Sequence, residues 1–362
     1  MKKPTIAVLG SHSALDVCRG AKDEGFETLV VAEKGREQTY STYYASKGSI
    51  GCVDACLVLP KFSDILSDDV QRQLEKRQVI FVPNRSFEAY CHFDYKAIEK
   101  KFVVPMFGNK YLLKIEERGA RPNQYDLLKK AAIRYPKHFS NAKDIDRLCL
   151  VKMSEKTRVF ERAFFLAKDY ADFRKKSGAM IASGKITQKA LDEAVIEEFV
   201  LGAQVNFNFF YSPLEGRLEL LGTDTRRQTN LEGILRTPAP YQEALLKEVG
   251  VSYEEAGHIA VTVLESLLEP AFEMGESFVA AARELYAPGI IGPFALQAII
   301  TPGPPKKDIV VVDVSPRMPG SPGIAASPYS GYLFGSSISV GRRVAQEIKE
   351  AIRMKQLKKV VT

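Results

Sequence analysis

The sequence predicts a chain of two fold classes, α/β at the N-terminal end and α+β beyond it. Three observations carry this. Short apolar runs alternate with helix-patterned segments through the first hundred or so residues. A small mixed region follows. Longer strands joined by short turns fill the remainder, in antiparallel style. The expected units are residues 1–100, a domain with a parallel sheet and helices on its faces, then 101–195 and 196–362.

The elements follow in order. "PTIAVL" (4–9) reads as a buried strand. "GSHSALDVCRGAKDEG" reads as a turn and a helix, with Ser11 or Ser13 as cap and Gly25 as stop. "FETLVVAE", "ACLVLP" and "QVIFVPN" continue the strand series. Lys110 to Ala132 is helical in pattern. "LCLVKM" reads as a strand ending in Lys152, and "VFERAFFLAKD" as its partner after a turn. Lys185 to Ala194 reads as a helix and "AVIEEFVLG" as a strand. "AQVNFNFFYSP" and "RLELLGTDTRR" form a hairpin in which Gly216 supplies the turn. Helical stretches surround Pro270. "IGPFALQAII" and "KDIVVVDVS" are a further strand pair, and a helix with one apolar face covers about 338–357.

Composition narrows the functional classes. The 45% apolar and 26% charged content is that of a globular protein, and no apolar run approaches the ~20 residues of a membrane helix. The formal charge of +7 is spread along the chain, without the basic–aromatic interleaving of single-strand binders. It suits small anionic ligands, so neither nucleic acid nor membrane is an expected partner. Five scattered cysteines argue against a disulfide framework and for a reducing cytoplasm. Cys52, Cys56 and Cys91-His92 match no common zinc spacing.

Several segments carry candidate chemistry. "LGSHSALD" sets Gly10, Ser11, His12 and Ser13 where a strand runs into a helix, either an anion seat or a plain capped turn. Asn84, Arg85 and Ser86 end another strand. Lys152, Lys156, Arg158 and Arg162 lie on a strand–turn–strand that suits a polyphosphate or is a basic surface hairpin. Glu197 and Glu198 precede an apolar run; a hinge there offers backbone groups to a purine, and a solvated strand start is the plainer reading. "GTDTRRQTNLEGILR" concentrates Asp224, Arg226, Arg227, Asn230 and Arg236 around an expected loop. In "VVVDVSPRMPGSPG" the residues Asp313, Ser315 and Arg317 alternate and leave one face of an extended chain. Gln297 lies on the neighbouring strand, and an amide oxygen with a carboxylate is the donor set a magnesium ion takes beside phosphates.

Taken in order, "LGSHSAL", "VPMFGN", "IEEFVLG", "FYSPL", "IGPFALQ" and the strand ending in Ser-x-Arg resemble one family along nearly the whole chain. It is that of the archaeal formate-dependent 5-formaminoimidazole-4-carboxamide ribonucleotide synthetases, ATP-grasp ligases of purine synthesis. The resemblance implies an ATP-grasp fold behind a Rossmann-like first unit. It also implies phosphorylation of formate by ATP and formylation of the amine of aminoimidazole carboxamide ribonucleotide (AICAR), with Mg²⁺ or Mn²⁺ and in a homo-oligomer. Site roles follow by position. His12 and Arg226 would be catalytic. Ser11, Ser13, Ser86, Asn230 and Arg317 would join those two in holding substrate. Lys152, Lys156, Arg158, Glu197, Glu198, Phe199 and Val200 would hold ATP, and Gln297 and Asp313 the metal. Departures also stand in the sequence. No glycine follows Lys152 through "MSEKTRVFERAFF", Asp313 stands for the family's Glu before "PGSPG", and Asn84-Arg85 replaces His-Gly. A ligase for another acid or amine, or a non-catalytic nucleotide-binding paralogue, are the alternatives.

Overall fold

A computed structural model describes residues 3–117, 119–153, 164–249, 255–302 and 306–362. The first sheet holds β1 (Thr5–Leu9), β2 (Glu27–Glu33), β3 (Ala55–Leu59) and β4 (Val79–Val82), all parallel, in the order β3-β2-β1-β4. Its strands read as unbroken apolar runs because helices cover both faces. These helices are α1 (Ala14–Asp23), α2 (Asp68–Lys76), α3 (Arg85–Tyr90) and α4 (Tyr95–Lys101).

The helix expected over Lys110–Ala132 is broken. A short 3₁₀ turn covers Leu113–Glu116, and α5 begins only at Gln124 and ends at Lys130. Pro122 cannot continue a helix through its missing N–H, and Asn123 restarts one by accepting from the Tyr125 and Asp126 amides.

A second sheet follows: β5 (His138–Phe139), β6 (Cys149–Lys152), β7 (Phe164–Ala167) and β8 (Val195–Glu198), in the order β5-β8-β6-β7 and antiparallel throughout. Helices α6 (Tyr170–Ala182) and α7 (Gln188–Asp192) join β7 to β8. Sequence reading missed α6, whose apolar residues keep no clear helical face. The basic residues Lys156, Arg158 and Arg162 lie outside the described residues.

The third and largest sheet holds β9 (Ala203–Ser212), β10 (Arg217–Gln228), β11 (Glu255–Ala260), β12 (Gly292–Thr301) and β13 (Asp308–Ser315), in the antiparallel order β11-β10-β9-β12-β13. Helices α8 (Leu231–Leu235) and α9 (Ala239–Glu248) lie between β10 and β11, and α10 (Leu268–Leu285) precedes β12. Pro270 sits in the first turn of α10, where its missing N–H costs nothing, so one helix starts there instead of two meeting. The chain closes with α11 (Tyr329–Phe334) and α12 (Val340–Arg353). Among the described residues no helix is long and apolar enough to cross a membrane.

Register fixes what each face of the large sheet carries. Phe207, Phe209, Phe294 and Leu296 point to one face and pack with Phe278 of α10. Asn206, Asn208, Phe210 and Ser212 point to the other. That face meets α12 and the first sheet, with Phe107, Phe210, Ile291 and Val344 in one core. Helices α1 and α12 touch at backbone distance: a Cβ on Gly20 would lie 2.1 Å from the Arg342 nitrogen, and one on Gly341 2.3 Å from the Asp16 carbonyl oxygen. The loops after β1 and β4 are thereby held over the polar half of the large sheet.

Candidate active site

Four strands set polar side chains in one row. Asp313 on β13 stands opposite Gln297 on β12, which stands opposite Asn206 on β9, which stands opposite Asp224 on β10. Directly opposed residues share a face and are close enough for their side chains to interact. Asn208, Ala295 and Ser315 form the next row. Together they floor a cleft of about 290 Å³.

Asp224 is buried, and its carboxylate accepts from Asn206 Nδ2 at 3.0 Å and Asn208 Nδ2 at 2.6 Å. His258 Nδ1 on β11 meets the same carboxylate, while its Nε2 lies 2.9 Å from Glu255 Oε1. Burial alone would lower the His258 pKa. The hydrogen bonds to Asp224 and Glu255, and the charges of both, outweigh it and push the imidazole up to about 9. Arg226 stands opposite His258 in the register and donates from Nη2 to Gln297 Oε1 at 2.7 Å. Its Nε has no hydrogen-bond partner among the described residues and lies 3.7 Å from Glu255 Oε2.

The other wall comes from the first sheet and the loop after β13. His12 is exposed on the β1–α1 turn and lines the cleft with Arg85, Arg317, Pro319 and Gly320. Asn84 fixes that turn. Its amide donates to the Leu9 and His12 carbonyls at 3.0 and 3.1 Å and its oxygen caps α3. Ser13 takes the N-cap position of α1 with φ 60° but makes no side-chain cap. Its hydroxyl instead donates to the Pro319 carbonyl, strapping the turn to the loop after β13. Ser86 Oγ donates to Ser11 Oγ at 2.7 Å. Arg317 is buried between Glu88 at 2.8 Å and Glu116 at 2.7 Å, and Arg85 pairs with Glu116 at 2.7 Å. Burial drives the Glu116 carboxyl up to about 7 against the pull of Arg317 and Arg85.

The second sheet presents Lys152 and Glu197 on one face as an ion pair. Tyr125 Oη donates to Glu197 Oε2 at 3.4 Å, and the adjacent Gln124 accepts from the Val314 amide at 2.8 Å. One turn of α5 therefore bridges the Lys152 pair to the strand that carries Asp313.

The residues fit a hard divalent cation. Asp313 makes no ion pair among the described residues, Gln297 Oε1 accepts one hydrogen bond, and Asn206 Oδ1 is buried without a partner. One carboxylate and amide oxygens in a row suit an ion whose remaining ligands are phosphate oxygens and water. Among the described residues no group of three or more His, Cys, Asp or Glu is placed to hold a metal by itself.

Residues 6–139 match a family described as a protein of unknown function (DUF1246), and residues 172–362 one described as a domain of unknown function (DUF1297). The 5-formaminoimidazole-4-carboxamide-1-(beta)-D-ribofuranosyl 5'-monophosphate synthetase of Methanobrevibacter smithii is 37% identical over 360 residues, 99% of this chain and 94% of that protein. The synthetase of Methanopyrus kandleri is 38% identical over 359 residues, 99% of this chain and 95% of that protein. This chain belongs to that synthetase family. The crystal structure of an IMP biosynthesis protein PurP from Thermococcus kodakaraensis superposes with a TM-score of 0.73 at 28% identity, covering 99% of this chain and 100% of that one. An ADP complex of N5-carboxyaminoimidazole ribonucleotide synthetase, 13% identical, covers 93% of this chain and 78% of that one with a TM-score of 0.58, and shares the fold. That fold is ATP-grasp, as the motifs imply.

Within this family member the predicted residues divide. His12, Arg226, Gln297, Asp313 and Arg317 line one cleft. Ser11 and Ser13 flank His12, Ser11 accepting from Ser86 Oγ and Ser13 donating to the Pro319 carbonyl. Asn230 precedes α8 at φ 34° and is exposed, away from the cleft lining. Arg226 and Arg227 lie on β10 and not in a loop, since the alternation of "GTDTRRQ" carries the strand to Gln228. Lys152 and Glu197 pair with each other and are not among the residues that line the cleft. Glu198 turns to the opposite face, 3.5 Å from Arg147. The Glu198 and Phe199 amides are taken by the Lys137 and Leu148 carbonyls, so neither has an N–H to offer a base. Lys156 and Arg158 lie outside the described residues. Sequence reasoning missed Asn206, Asn208, Glu255 and His258. "NFNFF" carried a signal, because two amides alternate there with buried aromatics. His258 had none beyond the scarcity of histidine.

Proposed function

We propose that this chain formylates the amine of AICAR at the expense of ATP and formate. It is an ATP-dependent carbon–nitrogen ligase of purine biosynthesis. The observation that carries this reading is the cleft itself. A row of oxygen donors, Asp313, Gln297 and Asn206, runs into a cationic end of Arg226 and His258, facing His12, in a chain of the synthetase family.

Three anionic reactants must meet there, so charge neutralisation and positioning are the chemistry required. ATP transfers its terminal phosphoryl group to formate. The amine nitrogen then bonds to the formyl carbon, the carbon–oxygen bond to phosphate breaks, and an amine proton leaves. His12, exposed at the cleft mouth and fixed through its carbonyl by Asn84, is the acceptor of that proton. Arg226 holds the transferred group. Lys152, oriented by Glu197, reaches the ATP phosphates, and the segment at Val200 borders the adenine. Ser11, Ser13 and Ser86 hold the loop that receives the ribonucleotide phosphate. A divalent cation, Mg²⁺ or Mn²⁺, held by Gln297 and Asp313 would neutralise phosphate charge. Phosphate release measured with ATP, formate and AICAR tests this. Turnover should require all three and be lost in Asp313→Asn. Turnover with another carboxylate and none with formate would overturn it.

A further inference from the structure

One carboxylate in the cleft is the chain's own, and its position is informative. Glu255 opens β11 at the sheet edge, opposite a register shift between Arg227 and Gln228. Such irregularities re-aim side chains. Its Oε1 lies 2.9 Å from His258 Nε2, and its Oε2 lies 3.7 Å from Arg226 Nε, the buried nitrogen that lacks a hydrogen-bond partner among the described residues. A third group converges on the same point. A Cβ built on Gly320 would stand 3.9 Å from His12 Nδ1, 3.9 Å from His258 Nε2 and 4.0 Å from Glu255 Oε1. Each cationic partner is braced from behind. Asp224 holds the far nitrogen of His258, and Gln297 holds the far nitrogen of Arg226. Two preorganised donors thus face a carboxylate that belongs to a partly exposed strand end.

We infer that Arg226 and His258, with His12 across Gly320, form the seat of the small carboxylate substrate, and that Glu255 occupies this seat until the substrate displaces it. The inference rests on the carboxylate-activating reading and deepens it. Occupation by a carboxylate shows which anion the donors suit. The surroundings favour the charged form of Glu255. Burial alone would raise its pKa, but His258, Arg226 and His12 together bring it below the ordinary value. The same donors would favour formate as its anion. A substrate arriving at Arg226 sits beside Gln297 and the oxygen row, where a phosphoryl group would reach it. Glu255 then acts as an internal competitor, which lowers apparent affinity by the fraction of time it fills the seat.

The chain has four histidines, so their imidazole signals are few enough to assign in the full-length protein carrying ¹³C-histidine, with His258→Gln and His12→Gln as assignment variants. Sodium formate should shift the His258 and His12 resonances with no ATP present. Glu255→Gln keeps the side chain's shape and an acceptor for His258 but removes the competing charge. It should tighten formate roughly tenfold, as expected if the seat is filled about nine-tenths of the time. Gly320→Ala, whose methyl meets its neighbours at ordinary contact distance, should weaken formate binding while the fold stays intact by circular dichroism. Shifts with inorganic phosphate and none with formate would overturn the inference, as would unchanged affinity in Glu255→Gln. This readout is separate from turnover. Formate binding with this pattern in a protein that does not formylate AICAR would uphold the seat and sink the assigned reaction. Formate-dependent turnover with His258 unmoved would do the reverse.

Discussion

The same face of the large sheet carries two charge networks, and they are built differently. At the hairpin end, Arg343 of α12 donates to Glu219 at 2.7 and 3.0 Å and to Glu347 at 2.9 Å, with its guanidinium 4.3 Å from the Phe210 ring centroid. Ser212 completes the set through Glu347 at 2.8 Å. All are buried and each charge is answered. At the other end, Asp224, His258, Glu255, Arg226 and Gln297 are joined in a chain, yet Arg226 Nε and Asn206 Oδ1 have no hydrogen-bond partner among the described residues and the group opens into a cleft. The boundary is Gly222, at a register shift in β10, where a Cβ would lie 2.3 Å from Ser327 Oγ and 2.4 Å from Ile324 Cγ2. Only a glycine lets the turn at 322–326 land on the sheet there. A saturated network fastens a helix. A network with unpaired buried groups costs stability and is kept where a bound group completes it.

The largest expected effect lies at the saturated end. Arg343→Met removes the buried cation that Glu219 and Glu347 share, leaving Glu219 only the half-exposed Arg217 at 2.7 Å and Glu347 only Ser212, which should cost about 3 kcal/mol in urea denaturation. The Michaelis constants of the folded fraction should not change. Converting Arg343, Glu219 and Glu347 together to apolar residues should restore most of that stability, since no charge is then left buried alone. If the triple variant is no better than the single one, packing and not charge pairing holds α12. Next comes the open end. Arg226→Ala should lower kcat/KM about 10²- to 10³-fold, the loss typical for one preorganised donor. Its denaturation midpoint should stay equal to wild type or rise, because the half-partnered group is gone. A large stability loss with little kinetic effect would erase the distinction between the two ends.

Both ends were unequally legible in the sequence. The strand pair carrying Gln297 and Asp313 could be read directly, because period-two alternation states which side chains share a face. The parallel first sheet was legible for a similar reason, as its strands are continuous apolar runs. The cleft's cationic end was not. His258 reaches Asp224 only through the pairing of β10 with β11, and 34 residues separate them. No local periodicity encodes that partnership. Ser13 could be read as a cap from its place before a helix, but the nearby Pro319 carbonyl, 306 residues away in sequence, competed for its hydroxyl and won. Arg317 was legible as a cleft residue. Its two buried carboxylate partners come from α3 and from the turn at Leu113–Glu116, and only the tertiary fold brings them to it.

A smaller effect should appear in the pH dependence of stability. His258 holds its proton more tightly folded than unfolded, its pKa moving from 6.5 to about 9. The stability this adds is whole below about pH 6.5 and is lost as pH rises through about 9. Thermal midpoints of wild type and His258→Gln, compared at both ends of that window, should converge on the alkaline side. A constant difference would mean that the imidazole is uncharged in the fold. The groups facing it are Asp224 and Glu255, with Arg226 opposite on β10 and His12 across Gly320, so the slope should also shrink in Glu255→Gln.

The smallest effect concerns the strap that closes the open end. Ser13 makes one hydroxyl bond to Pro319 and holds φ 60°, a conformation in which any side chain is strained. Ser13→Ala loses the bond but keeps the strain, and should cost about 1 kcal/mol. Ser13→Gly loses the same bond but relieves the backbone by about 1 kcal/mol, so its denaturation midpoint should lie close to wild type. Both should raise the KM for the ribonucleotide, because the strap holds the His12 turn against the Gly320 loop. The hairpin end has no counterpart to this sensitivity, since its partners come from β9, β10 and α12. Equal destabilisation by Ala and Gly would show that residue 13 does not hold the left-handed conformation in solution. Two stable variants with unchanged KM would show that the open end needs no strap, and that its geometry is set by the sheet alone.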